Sequence, residues 1–266
     1  MEYIQIADSI KAPKIGLGTF DLKSDSIRMG LEAGYRLLDT AWQYGNEGEV
    51  GKAVRESGID REDILITTKL WTEPIRTDKV HEALEESLRN LNMDYVDLYL
   101  IHWPANGYEK AWEVMNALME EGKIKSIGVS NFNKNHLEAI AHIGIIPAMN
   151  QLESHPYFRN DEVIDECMNR GIKVQAWCPL GGPYSSLKSD KLLEKISHKY
   201  GKTSAQIILR WHIQRGMMVI PRSSNEKRLK ENLGIFDFEL DETDMTEINA
   251  LDTGKRMGAD PDNVNF

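Results

Sequence analysis

Gly16-Leu17-Gly18-Thr19-Phe20-Asp21 is the stretch on which the choice of fold turns. Two glycines after a short apolar run begin like the phosphate-binding turn of an open dinucleotide-binding sheet, whose G-x-G-x-x-G pattern needs a third. Asp21 stands where that third glycine belongs. An open doubly wound sheet is thereby disfavoured, and any nucleotide site must be built from other parts of the chain.

Outward from this point, short β-branched apolar runs alternate with longer segments whose apolar residues recur every three or four positions. That alternation marks repeated βα units on a parallel sheet. Strands are expected near Ile15–Leu17, Leu37–Asp39, Ile64–Thr68, Val96–Ile101, Ser126–Val129, Ala148–Gln151, Lys173–Trp177 and Met218–Ile220. Helices are expected near Ser24–Ala33, Glu47–Ser57, Asp78–Leu91, Lys110–Glu121, Lys134–His142, Asp161–Arg170, Thr203–Gln214 and Asn225–Asn232. In the third of these, Val80, Ala83, Leu84, Ser87, Leu88 and Leu91 fall on one face, with Asp78 as the expected cap. Eight units without linker or internal sequence repeat give an α/β chain, a (β/α)8 TIM barrel, as one domain over residues 1–266. Tyr3–Ile6 with Ser9–Ile10 fit an N-terminal β-hairpin plug, and Leu187–Tyr200 an extra, inserted helix.

The composition, 41% hydrophobic and 28% charged, is that of a globular protein with a sizeable core rather than a disordered chain. Lysine and arginine total 32 against 42 acidic residues, so the net charge is 32 − 42 = −10, which opposes nonspecific contact with nucleic acid or anionic membrane. The N-terminus MEYIQIADSIKAPKIG has no basic segment leading an apolar run, and no stretch approaches the roughly 18 to 20 apolar residues of a membrane span. A cytoplasmic protein is expected. The two cysteines, Cys167 and Cys178, form no CxxC pair and read as reduced thiols, with no metal cluster.

In a (β/α)8 barrel, functional residues gather where strands run out at the C-terminal face. Three neighbouring strand ends carry ionisable groups there: Leu38-Asp39-Thr40-Ala41-Trp42-Gln43-Tyr44-Gly45-Asn46-Glu47, Ile66-Thr67-Thr68-Lys69-Leu70-Trp71 and Leu100-Ile101-His102-Trp103-Pro104. Taken singly, Asp39 also reads as a turn residue, Tyr44 as a half-buried aromatic, Lys69 as a surface lysine and His102 as a core histidine. Their joint arrival at three successive strand ends favours a site.

The motifs LDTAWQYGNE, TTKLW and LIHWP resemble the Asp-Tyr-Lys-His tetrad of the aldo-keto reductase family. The resemblance continues through Gly128-Val129-Ser130-Asn131-Phe132, Asn150-Gln151, Trp177-Cys178-Pro179-Leu180-Gly181 and Ile220-Pro221-Arg222-Ser223, and is strongest to short bacterial and protozoal members such as the 2,5-diketo-gluconate reductases and prostaglandin F synthase-like enzymes. It implies an NADPH-dependent carbonyl reductase in which Tyr44 gives a proton to the substrate oxygen. A phenol with a pKa of about 10 needs a nearby cation to act as an acid at neutral pH. Lys69 is that cation in the resemblance, Asp39 its counter-ion, and His102 a donor to the carbonyl oxygen.

The resemblance also implies where NADPH or NADP lies. Ser130, Asn131 and Gln151 would bond the carboxamide, and Trp177, a tyrosine in many relatives, would stack on the ring. Gly18, Thr19, Phe20 and Asp39 would contribute from the first strand ends, and Pro179, Leu180 and Gly181 would follow the pyrophosphate. Ile220, Pro221, Arg222, Ser223, Ser224, Asn225 and Arg228 would take the adenosine end, with both arginines on the 2′-phosphate. Glu231 and Asn232 would reach the adenine. The same residues read alternatively as strand-end polar contacts, a core tryptophan and a solvated helix start. The family more often carries lysine where Arg222 stands.

Phe20, Trp42, Tyr44, Trp71, His102 and Trp103 are the expected substrate walls, with core packing as the alternative for the aromatics. The tail Met257-Gly258-Ala259-Asp260-Pro261-Asp262-Asn263-Val264-Asn265-Phe266 is short, so an open pocket for a small aldehyde, diketone or keto-sugar is expected, in a monomer. Two rival functions stand beside this one. They are an NADPH-binding regulatory subunit of the same fold, and another barrel chemistry such as phosphate-sugar isomerisation.

Overall fold

The computed structural model describes residues 1–8, 10–182 and 185–266. Among these, β1 (Tyr3–Ala7) and β2 (Ile10–Pro13) pair antiparallel. Ser9, expected in the second hairpin strand, lies outside the described residues. The strands β3 (Leu17–Gly18), β4 (Leu37–Asp39), β5 (Leu65–Leu70), β6 (Val96–Ile101), β7 (Ile124–Ser130), β8 (Met149–Glu153), β9 (Lys173–Trp177) and β10 (Met218–Val219) form one parallel sheet in chain order.

That sheet curls until its two edges meet. Ile15 bridges Val219 in parallel, Gly16 N–H donates to Val219 O at 2.9 Å, and Gly18 N–H donates to Pro221 O at 3.2 Å. The architecture is the expected (β/α)8 barrel. The glycine pair quoted at the outset therefore serves closure: a Cβ on Gly18 would sit 2.8 Å from the Ile220 carbonyl oxygen, so only glycine lets the first and last strands approach.

Side chains alternate along a strand, so every second residue looks into the barrel. Leu37, Leu65, Leu98, Leu100, Met149, Met218 and Ile220 make one apolar cluster, and Ile6, Ile10 and Ala12 of the hairpin join it as the plug. Two or four residues further along the same strands come Asp39, Thr67, Lys69, His102 and Gln151. The interior thus passes from apolar beneath to polar above, and period 2 alone puts the ionisable groups at one mouth.

The eight expected helices are present at Ser24–Ala33, Glu47–Glu56, Val80–Leu91, Tyr108–Glu120, Lys134–Ala141, Asp161–Asn169, Ser204–Gln214 and Glu226–Leu233, packed outside the barrel on a second, larger cluster. The inserted segment is a 3-10 turn, Leu187–Ser189, followed by a helix at Lys191–Tyr200. Two helices, Thr72–Arg76 and Glu242–Asn249, were not expected. The first is one turn containing Pro74, tolerated near a helix start where its missing N–H is not needed. The expected cap at Asp78 is corrected: it adopts a left-handed φ of 58° and pairs with Lys110, while the helix starts at Val80 after Lys79. No helix among the described residues is long and apolar enough to cross a membrane.

Candidate active site

Adjacent pairing of β4 and β5 brings Asp39 beside Lys69, and neither side chain has meaningful exposure, at 2% and 0%. Lys69 Nζ donates to Asp39 Oδ1 at 2.6 Å and to Thr40 O at 2.8 Å, and lies 3.4 Å from the Tyr44 hydroxyl. Its three protons thus have three acceptors, the arrangement a buried ammonium needs. A solvated surface lysine is excluded. Burial by itself lowers the Lys69 pKa, but Asp39 and Tyr44 outweigh it and hold the ammonium above its ordinary value. Burial pushes the Asp39 carboxyl up as well, with the Lys69 charge and the bonds from Lys69 and Gln151 pulling it back down.

Tyr44 follows β4 in a 3-10 turn, Trp42–Tyr44, closed by Gly45 in the left-handed conformation. Burial pushes its phenol above the usual value, with Lys69 pulling the other way, so the hydroxyl keeps its proton at neutral pH. Its ring meets Phe20 edge-on at 5.1 Å and His102 at 5.7 Å. His102 extends β6 by a backbone bond to Leu70 O. Burial, then the Lys69 charge, holds its imidazole well below the ordinary range, so it is neutral. A protonated phenol beside a fixed cation and a neutral imidazole can deliver a proton and stabilise the anion left behind.

A second network begins on Asp39. Gln151 Nε2 donates to Asp39 Oδ2 at 2.6 Å and to Gln175 Oε1 at 2.7 Å, which commits both amide protons and leaves Gln151 only an acceptor to offer. Ser130 Oγ donates to Gln151 O, Asn131 Nδ2 donates to Ser130 Oγ and His102 O, and Trp177 Nε1 donates to Asn131 Oδ1 at 2.8 Å. Ser130, Asn131, Gln151 and Trp177 thus form one bonded group beside the tetrad.

The remaining expected contacts are placed unevenly. Thr19 is spent on Asp39 O through both its N–H and its hydroxyl, and Ile220 and Pro221 belong to the seam. Pro179 O faces His212 Nε2 at 3.4 Å, Leu180 packs into the core, and Gly181 turns back to Cys178 O. Burial pushes the Cys178 thiol up to about 11, which keeps it unreactive. Ser223 Oγ accepts Asn225 N–H, and Asn225 Oδ1 caps the last barrel helix on Arg228 N–H. Ser224 and Arg228 are exposed, Arg222 pairs with Asp21, Glu231 pairs with Lys227, and Asn232 is buried.

Around the tetrad, Trp71 meets His102 at 5.1 Å, while Trp42 is tied elsewhere, its indole N–H donating to Glu86 Oε1. The short tail reaches the aromatic residues at this mouth, with Phe266 still 44% exposed. Phe266 stacks on Trp71 at 5.5 Å and meets Trp103 edge-on at 5.3 Å, and Arg76 and Thr72 hold its carbonyl oxygen. Glu153, unremarked in the sequence, fixes this tail: its buried carboxylate accepts Met257 N–H at 2.5 Å and Gly258 N–H at 2.9 Å. Gln175 was missed too. In both cases the signal was parity, since Glu153 lies two residues after Gln151 and Gln175 two before Trp177.

Fold and site together define a class of protein, a (β/α)8 barrel with an Asp-Lys-Tyr-His cluster at its C-terminal mouth. The chain belongs to the aldo/keto reductase family, whose model matches residues 14–253. It is 41% identical over 267 residues to methylglyoxal reductase DkgA of Salmonella typhimurium, covering 97% of this chain and 96% of that one. It is 39% identical to 9,11-endoperoxide prostaglandin H2 reductase of Trypanosoma cruzi, covering 98% and 95%. Among solved structures it resembles MGS-M4, an aldo-keto reductase from a Medee basin deep-sea metagenome library, with TM-score 0.94 and 42% identity over 97% and 98% of the two chains.

Proposed function

We propose that this chain reduces small aldehydes and ketones to alcohols with NADPH, Tyr44 supplying the proton. The observation that carries the reading is the convergence of the buried Asp39–Lys69 pair, the protonated Tyr44 hydroxyl and neutral His102 at one mouth. The residues present fit a nicotinamide: Gln151 has one acceptor left for a carboxamide N–H, and the half-buried Trp177 indole is locked flat-sided by Asn131. Ser130 and Asn131 would complete that carboxamide pocket, and Arg222 and Arg228 would hold the 2′-phosphate, which favours NADPH over NADH.

When bound, NADPH supplies the hydride that reaches the carbonyl carbon. The chain's own part is to handle charge on the oxygen. His102 orients the carbonyl through a ring N–H, and the Tyr44 O–H bond breaks as its proton moves to that oxygen. The phenolate formed is opposed by the Lys69 ammonium, an interaction stronger once the negative charge has developed than before. Asp39 keeps that ammonium charged and aimed. Trp71, Trp103, Phe20 and Phe266 supply apolar walls suited to small carbonyls, and the relatives named for methylglyoxal support that class. The enzyme is read as one domain over residues 1–266, cytoplasmic and monomeric, and the net charge of −10 supports its solubility.

The test is NADPH-dependent turnover of methylglyoxal by the isolated chain, followed by absorbance of the reduced cofactor. Wild type turns over without a partner, and Tyr44→Phe loses about 100-fold or more in kcat while still binding NADPH. Binding without turnover in wild type would instead favour a regulatory subunit, and no binding of the nucleotide would defeat the reading.

A further inference from the structure

Asp21 and Arg222 are 201 residues apart in sequence and meet across the barrel seam, where Arg222 Nη2 donates to Asp21 Oδ2 at 2.9 Å. The same nitrogen lies 3.4 Å from Asp21 O. Seam hydrogen bonding from Gly18 to Pro221 sets the two loops side by side. The acidic loop is held still: Asn46 Nδ2 donates to Thr19 O at 2.6 Å and to Leu22 O at 3.1 Å, bracketing Asp21, and Leu22 N–H closes onto Thr19 O. Asn46 is itself buried and fixed by Thr40 Oγ1. Asp21 sits within that bracket at a left-handed φ of 56°. The backbone that carries Asp21 is therefore fixed, and its largely exposed carboxylate, 76% accessible, meets a guanidinium side chain that is 47% accessible.

We propose that Asp21 is an internal competitor for the Arg222 fork and sets how strongly this chain prefers a 2′-phosphorylated dinucleotide over an unphosphorylated one. The inference rests on the reading of Arg222 as a 2′-phosphate contact. A phosphate monoester brings a charge of about −1.5 to −2 and three acceptor oxygens to the guanidinium. It must displace Asp21 or lie beside it, and in both cases a fixed negative charge a few ångströms away opposes it. NADH brings no charge to that point, so the ion pair persists and Asp21 is neutral toward it. The carboxylate standing where a dinucleotide sheet would carry its third glycine thus acts on the same ligand class from the opposite side, by repulsion.

Asp21→Asn tests this cleanly, because asparagine tolerates the left-handed conformation and keeps an acceptor for Arg222 while losing the charge. NADPH and NADH are titrated into wild type, Asp21→Asn and Arg222→Ala by tryptophan fluorescence at about 50 mM and about 300 mM salt, where screening differs. Expected is a three- to tenfold tighter Kd for NADPH in Asp21→Asn, less than a twofold change for NADH, and a gap that narrows in the higher salt. An unchanged or weaker Kd for NADPH in Asp21→Asn, or an equal gain for NADH, overturns the inference. If wild type binds neither nucleotide, the functional reading fails and takes the inference with it. If Arg222→Ala leaves NADPH binding intact, the phosphate contact fails, and with it the competition. A large Arg222→Ala effect with a silent Asp21→Asn sinks the competitor role alone. Thermal melts of both variants confirm that the barrel is folded.

Discussion

Asp39 and Lys69, on adjacent barrel strands, are joined at 2.6 Å with both charges sealed from solvent. Such a pair is costly to break and close to neutral to replace, because desolvation offsets most of the attraction while a lone buried charge keeps the whole penalty.

Lys69→Met is accordingly expected to destabilise the fold by about 3–5 kcal/mol in urea unfolding, leaving the Asp39 carboxylate stranded. The double variant Asp39→Asn with Lys69→Met removes both charges and recovers most of that loss. Its kcat for methylglyoxal stays at least about 100-fold below wild type, because no cation remains beside Tyr44. Recovery of activity together with stability would show that the lysine acts only as scaffold.

Buried histidines set the acid side of the stability curve. Burial holds His102 and His212 well below the ordinary 6.5, so between their folded values and 6.5 the unfolded chain binds more protons than the folded one. Stability from this source is complete above about pH 6.5 and falls as pH drops, by up to about 1.4 kcal/mol per pH unit for each histidine. Denaturant unfolding at pH 7.5, 6.5 and 5.5 measures the slope, and His102→Gln is expected to flatten it by about one proton. A slope that is the same in the variant refutes the assignment.

Glu153 links the tail to the tryptophan platform. Its carboxylate accepts the N–H groups of Met257 and Gly258, and a Cβ on Gly258 would lie 2.5 Å from the Trp177 ring. Glu153→Gln turns one acceptor into a donor that faces a backbone N–H, leaving it unsatisfied at a cost of about 1–3 kcal/mol. The expected results are faster proteolysis and hydrogen exchange over residues 254–266, a raised KM for methylglyoxal, and a kcat within about threefold of wild type, since the tetrad is untouched. Unaltered exchange in the tail would remove the latch.

The sequence read the barrel through one local rule repeated eight times. Leu37 and Asp39, Leu65 and Lys69, Leu100 and His102 show the inner face changing from apolar to polar within one strand, and period 2 with helices between makes that pattern visible without coordinates. Asp78 misled because an acidic residue ahead of an apolar run fits a cap equally well as a left-handed turn that pairs with Lys110. The path of the tail was not legible at all. The tail's length was, but its course depends on Glu153 and on the aromatic faces of Trp71 and Trp103, contacts more than a hundred residues away.

By itself, then, the chain's order of residues determined the alternation of strands and helices, the mouth at which ionisable groups gather, and the types of those groups, since all of these follow from local periodicity and spacing. Only the closed barrel decided that Gly16 and Gly18 serve a seam, that Lys69 is wholly buried, that Gln151 offers an acceptor alone, and that Asp21 faces Arg222. Each of those is a meeting of residues distant in sequence, and such meetings are fixed by closure and packing, which no local pattern encodes.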